Sequence, residues 1–227
     1  MRFNRCSALM GFILLLFFST AQAGVVVGGT RVIFNGEKKE ASISVDNPDN
    51  EPYLIQSWLD NQQSGVDKIA FIITPPLFRL DGHQENMLRI VRVGDDLPKD
   101  KESLYWMNIK SIPSTEHTGK SNTLQIAVKT RLKLIYRPAA LLKQVPEDVT
   151  QRLTWQRVGK ELKLTNPTPY YMNFHYVRIG GREMKEVTYI APMSSEIFSL
   201  PVSGASSVSW KLINDYGGTG KEHQSGI

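Results

Sequence analysis

From Leu124 to Arg137 the chain alternates without a break, and this constrains the fold more than any other feature. Leu124, Ile126, Val128, Thr130, Leu132, Leu134 and Tyr136 form one set; Gln125, Ala127, Lys129, Arg131, Lys133, Ile135 and Arg137 form the other. A period of two places these sets on opposite faces of a β-strand, one apolar and one largely basic. Counted from Thr123 to Tyr136 at about 3.4 Å per residue, the strand would span roughly 48 Å, against a usual ~17–20 Å. One sandwich core cannot cover an apolar stripe of that length, so part of it is expected to serve something else.

The rest of the sequence is also built from short alternating runs separated by turn chemistry. Ala41 to Val45, Tyr53 to Leu59, Ile69 to Ile73, Asn86 to Val93 and Ser103 to Ile112 read as strands. The cluster DNPDNEP from Asp46 to Pro52, the pair Pro75-Pro76 and Asp81-Gly82 punctuate them. Pro75-Pro76 is also a place to look for a cis bond. A second series follows: Leu153 to Arg157, Glu161 to Thr165, Tyr170 to Ile179, Glu186 to Ile190, Glu196 to Leu200 and Ser207 to Ile213. No convincing amphipathic helix interrupts either series. The expectation is an all-β chain of two immunoglobulin-like sandwiches, residues 24–143 and 144–227, with the boundary near Leu142–Pro146. The polar, glycine-rich tail from Gly217 to Ile227 is expected to fray.

Residues 1–23 read as a secretory signal peptide rather than a membrane anchor. Arg2 and Arg5 precede the apolar run Ala8 to Phe18, which is too short to span a bilayer, and Ala21-Gln22-Ala23 is a small-x-small cleavage site. Removing 23 of 227 residues leaves 204, with 25 basic and 22 acidic residues and a charge of +3. That mild balance gives no argument for nucleic acid. Cys6, the one cysteine, leaves with the leader. The exported chain must then hold together by burial and hydrogen bonding without disulfides.

Catalytic and metal signatures are missing from the sequence. His83, His117, His175 and His223 are scattered, with no paired spacing and no cysteine partner. Gly28-Gly29 precedes a strand rather than a helix, which makes a poor phosphate loop, and no G-x-S-x-G elbow occurs. No catalytic residue, metal or cofactor is assigned.

Several stretches, in order along the chain, resemble one family. LPKDKESLYWMNIKSIP from Leu97 to Pro113 is similar to the signature of the periplasmic pilus chaperones, which work with an outer-membrane usher. GTRVIF from Gly29, YLIQSW from Tyr53, ITPPLF from Ile73, NPTPYY from Asn166 and INDYGG from Ile213 match it too, as does the alternating stretch itself. The short segment between Pro113 and Leu124 resembles the short-loop branch, which tends toward rod-like pili, and within it the chaperones of type 1 fimbriae.

The resemblance implies two immunoglobulin-like domains set at an angle around a cleft. It also implies pilin subunits and an outer-membrane usher as partners, and the periplasm as the location. Leu124, Ile126 and Val128 would be donor-strand side chains, together contributing about 5–9 kcal/mol before ordering costs. Arg31 and Lys133 would grip the subunit's terminal carboxylate and fix register, since a one-residue slip turns every donor side chain over. Glu102, Arg137 and Asp215 would form an interdomain salt-bridge network. The exposed strand is also compatible with self-association of the free protein. The competing reading is a two-domain adhesin or fibre component, which predicts a disordered donor extension before the first strand. Here the mature chain reaches its first strand almost at once.

Overall fold

The computed structural model describes residues 24–60, 70–94, 96–114, 124–201 and 204–227. The leader, with Cys6, and most of the connection between Pro113 and Leu124, with His117, lie outside the described residues. The first half contains β1 (Val26–Val27), β2 (Arg31–Asn35), β3 (Glu40–Asp46), β4 (Tyr53–Asp60), β5 (Phe71–Thr74), β6 (Leu77–Leu80), β7 (Glu85–Arg92), β8 (Ser103–Pro113) and β9 (Val128–Arg137). One sheet has the order β1-β3-β7-β5 and the other β2-β9-β8-β4-β6. Their inner faces close on Phe34, Val45, Ile55, Leu88, Ile90, Met107, Ile109 and Leu134, all buried.

The second half contains β10 (Thr154–Val158), β11 (Glu161–Asn166), β12 (Met172–Ile179), β13 (Arg182–Glu183), β14 (Tyr189–Ile190), β15 (Ser194–Ser199), β16 (Ser207–Ile213) and β17 (Thr219–Gly226). β10-β11-β15 packs against β13-β12-β16-β17, with Trp155, Leu162, Leu164, Met172, Val177 and Trp210 between them. The all-β, two-sandwich expectation holds. A buried asparagine organises a proline turn in each half. Asn47 donates to the carbonyls of Glu51, Leu80 and Asp81, and Asn166 donates to those of Tyr170 and Ala191.

A third, smaller apolar cluster joins the halves: Leu104, Ile135 and Tyr171, with Ile33, Trp106, Tyr189 and Ala191 against them. Leu104, Trp106 and Ile135 come from the outer face of the five-stranded sheet, so the second sandwich sits against that face.

Several expectations need correction. The alternating strand enters its ladder at Val128, not at Leu124, and runs for 10 residues. Val128 already faces Ser111, so extension would pair it with Ile112 and Pro113, and Pro113 has no N–H to give. Pro75-Pro76 interrupts the chain after β5 as expected, but β6 directly behind it is a strand beyond those expected. The cis bond is Thr74–Pro75, one residue before the pair. Of Glu186 to Ile190, only Tyr189–Ile190 is strand. A one-turn helix, α1 (Pro146–Val149), falls in the connecting segment.

The tail does not fray; β17 pairs with β16 over most of its length. The His223 ring stacks on Trp210 with centroids 5.7 Å apart, and its Nε2 lies 2.8 Å from Glu147. These polar anchors leave no hydrophobic period for a sequence reading to find.

Candidate functional site

β2 runs parallel to β9, with Arg31 beside Lys133 and Asn35 beside Arg137. Alternation along both strands then puts Arg31 and Lys133 on one face, the face turned toward the second sandwich. From the far side of the cleft, Asn173 Oδ1 accepts a 2.5 Å hydrogen bond from Lys133 Nζ, and the Tyr189 ring centroid lies 4.3 Å from that nitrogen. Arg31 donates through one terminal nitrogen to the Ile213 carbonyl at 3.3 Å, while its Nε is buried without a partner among the described residues.

Neither cation has a carboxylate at ion-pair distance among the described residues. Burial and the neighbouring Arg31 push the Lys133 ammonium down to about 8. Burial also lowers the Arg31 guanidinium, against the more distant pull of Asp215. Two half-buried like charges held side by side cost energy in the free protein, and an anion placed between them recovers it. A carboxylate suits the pair because it can accept from both groups at once.

Above this pair the edge of β9 is open. β2 begins at Arg31, so Val128 to Leu132 have a ladder partner on the β8 side but none on the β2 side among the described residues. Leu124, Ile126 and Val128 continue the row that lower down forms core at Leu132 and Leu134. They are 85%, 65% and 54% exposed, whereas Leu134 is fully buried. The upper part of the stretch is thus an uncovered apolar row beside an uncapped edge, ending at two unpaired cations.

Below it, Arg137 ends β9 and is nearly enclosed. Its Nε donates to Glu102 Oε1 at 2.6 Å, and its two terminal nitrogens donate to the two Asp215 oxygens at 2.6 and 2.9 Å. The Tyr171 N–H donates to the other Glu102 oxygen at 2.7 Å. Burial pushes the Glu102 carboxyl up, opposed by Arg137. Burial alone would lower Arg137, but its bonds to Asp215 and the Glu102 charge hold it above its ordinary value. Glu102, Arg137 and Asp215 therefore meet, with Asp215 supplied by the second half.

Comparison with known proteins places this geometry in a family. Residues 24–142 match the model for the N-terminal domain of PapD, a pili and flagellar-assembly chaperone, and residues 148–224 match the model for the PapD C-terminal domain. The chain belongs to the pilus-assembly chaperones. It is 41% identical over 214 residues to the chaperone protein FimC of Escherichia coli K12, covering 93% of this chain and 88% of that one. Among solved structures, the E. coli chaperone DraB matches at a TM-score of 0.78 and 41% identity, over 89% of this chain and 96% of that one. A chain from the Salmonella enterica SafA pilin–SafB chaperone complex matches at 0.83 and 36% identity, over 92% and 99%.

For this chaperone, the sequence reading named the two cations but missed what steadies them. Asn173 and Tyr189 lie in the second sandwich, and the Trp106 ring centroid lies 5.8 Å from the Lys133 ammonium. Asn173 falls within a stretch read as strand, yet no periodicity marks an asparagine aimed at another domain. Among the described residues, no three His, Cys, Asp or Glu side chains come together as a metal-binding group. No helix among them is long and apolar enough to cross a membrane.

Proposed function

We propose that this chaperone captures pilin subunits in the periplasm by donor-strand complementation and delivers them to an outer-membrane usher. The observation that carries the reading is the open edge of β9, which ends at Arg31 and Lys133. A subunit strand added there, parallel to β9 and in line with β2, would bring its C-terminal carboxylate down onto the two cations. Its backbone would pair with Val128 to Leu132, and Leu124, Ile126 and Val128 would enter the subunit's unfinished core. A sandwich lacking its last strand has unpaired edges that aggregate, so capping it in this way keeps it usable.

Domains 24–143 and 144–227 would each contribute a wall of the cleft. The Glu102–Arg137–Asp215 network would hold their angle, a geometric role that does not require a large net stability. The relative SafB was solved with the SafA pilin, which supports a pilin as the ligand class. Purification from periplasm with mass identification of bound partners tests the reading. The wild type should carry a small pilin one-to-one, and Arg31→Ala and Lys133→Ala should remain folded but carry none. Normal subunit recovery with either variant would overturn the anchor.

A further inference from the structure

The five-stranded sheet carries a second recognition element above the anchor. Its strands hold Arg31, Arg79, Lys110, Lys129, Arg131, Lys133 and Arg137 against one carboxylate, Asp60. The facing sheet is mixed, with Glu40, Asp46 and Glu85 against Arg89 and Arg92. The imbalance therefore belongs to one sheet, in a chain whose overall charge is modest. Arg79 is neutralised by Asp81 at 2.6 Å, and Arg137 by Glu102 and Asp215.

The single carboxylate does not neutralise the rest. Asp60 Oδ1 accepts from the Trp58 indole at 3.0 Å and Oδ2 from the Asn108 amide at 2.9 Å. Lys110, Lys129 and Arg131 have no ion-pair partner among the described residues. Lys110 and Lys129 stand directly opposite each other on the β8–β9 ladder. Like charges in that position destabilise a sheet, so folding gives no reason to place them there. Arg131, two residues on, is held against Trp106 and shares the Lys133 face. Lys129 and Arg131 flank the open edge of β9, and Lys110 stands one strand behind them on β8, within reach of the same face.

We infer that Lys110, Lys129 and Arg131 form a recognition row for acidic side chains on the cleft-facing side of the captured subunit strand. This rests on the reading of the β9 edge as the docking edge. A strand continuing the line of β2 carries its alternate side chains past Arg131 and then Lys129, so acidic residues spaced two apart would meet the row. Carboxylates there relieve the Lys110–Lys129 repulsion, steer the subunit into the cleft and discriminate against subunits with basic residues on that face.

The test uses the full mature chaperone and labelled nine-residue peptides with valine at core-facing positions. The alternate positions carry Glu in one peptide and Gln in the other, and each is made with a free or an amidated C-terminus. At low salt the Glu peptide should bind about tenfold more tightly than the Gln peptide, from several partly exposed ion pairs. The difference should collapse in 1 M salt. The Lys110→Gln/Lys129→Gln double variant should cut the preference severalfold, to the remainder that Arg131 supports, and unfold at the same or higher denaturant concentration, while still preferring the free carboxylate.

Equal binding of Glu and Gln peptides by the wild type would overturn the row, as would a preference undiminished in the double variant. Equal binding of free and amidated peptides, with the Glu preference intact, would overturn the anchor alone. No binding by any peptide would overturn both.

Discussion

Replacing Arg137 by methionine tests the interdomain network at its centre. The Glu102 side chain is 0% exposed, that of Arg137 is 5% exposed and that of Asp215 is 20% exposed. Arg137→Met removes three charge-assisted hydrogen bonds and leaves Glu102 buried, with only the Tyr171 N–H to satisfy it. Stranding a buried charge in this way costs about 3–5 kcal/mol. Asp215→Asn keeps the shape, retains the Glu102–Arg137 pair and acts at a more exposed group, so its cost should be about 1–2 kcal/mol. The double variant Glu102→Gln/Arg137→Met no longer strands a charge at the buried position 102. It should therefore be more stable than Arg137→Met alone, against simple additivity. Equilibrium denaturation followed by near-ultraviolet circular dichroism reads all four proteins, since each half holds buried aromatic residues. A loss below about 1 kcal/mol for Arg137→Met, or an additive double variant, would refute the reasoning.

Other predictions separate binding from folding. Leu124→Ala and Ile126→Ala should leave stability unchanged but weaken subunit capture by roughly 1.5–3 kcal/mol each, measured by competition for subunit. Leu134→Ala, on the same stripe but fully buried, should cost about 2–5 kcal/mol of stability by denaturation. Lys133 should impose a pH dependence of definite sign. Its folded value, near 8, lies below its value of about 10.4 in an unfolded chain. Between those values the unfolded chain holds more protons, so the stability of the free protein should rise with pH, and Lys133→Met should remove that rise. Carboxylate binding needs the charged ammonium, so peptide affinity should be full below about pH 8 and fall above it. Gly36→Ala should destabilise, because a Cβ there would lie 2.7 Å from the Arg137 carbonyl oxygen and 2.9 Å from the Ala139 nitrogen, both backbone atoms.

The residues revealed this architecture unevenly, for physical reasons. Most strand positions were legible because a half-buried strand must alternate, and the two faces of β9 follow from that rule alone. The nearness of Arg31 and Lys133 was not, because a parallel pairing between residues about a hundred apart leaves no local trace. Their joint role entered through family resemblance. Residues joining the two halves, such as Asn173 and Tyr189, were invisible for a similar reason: their partners belong to the other sandwich. β17 escaped because it is held by His223, Glu147 and Tyr176–Glu222 contacts rather than by apolar burial. The early end of the β9 ladder depended on where Pro113 falls in the neighbouring strand, a question of register that no single strand can answer.

Amide hydrogen exchange of the chaperone, alone and with a bound pilin subunit, tests strand donation most directly. In the free protein, the edge of Val128 to Leu132 that faces away from β8 has no ladder partner among the described residues. Capture should protect amides between Leu124 and Leu132, and Lys133→Ala should abolish that protection. A subunit complex that protects other surfaces and leaves Leu124 to Leu132 exchanging as in the free chaperone would contradict the account.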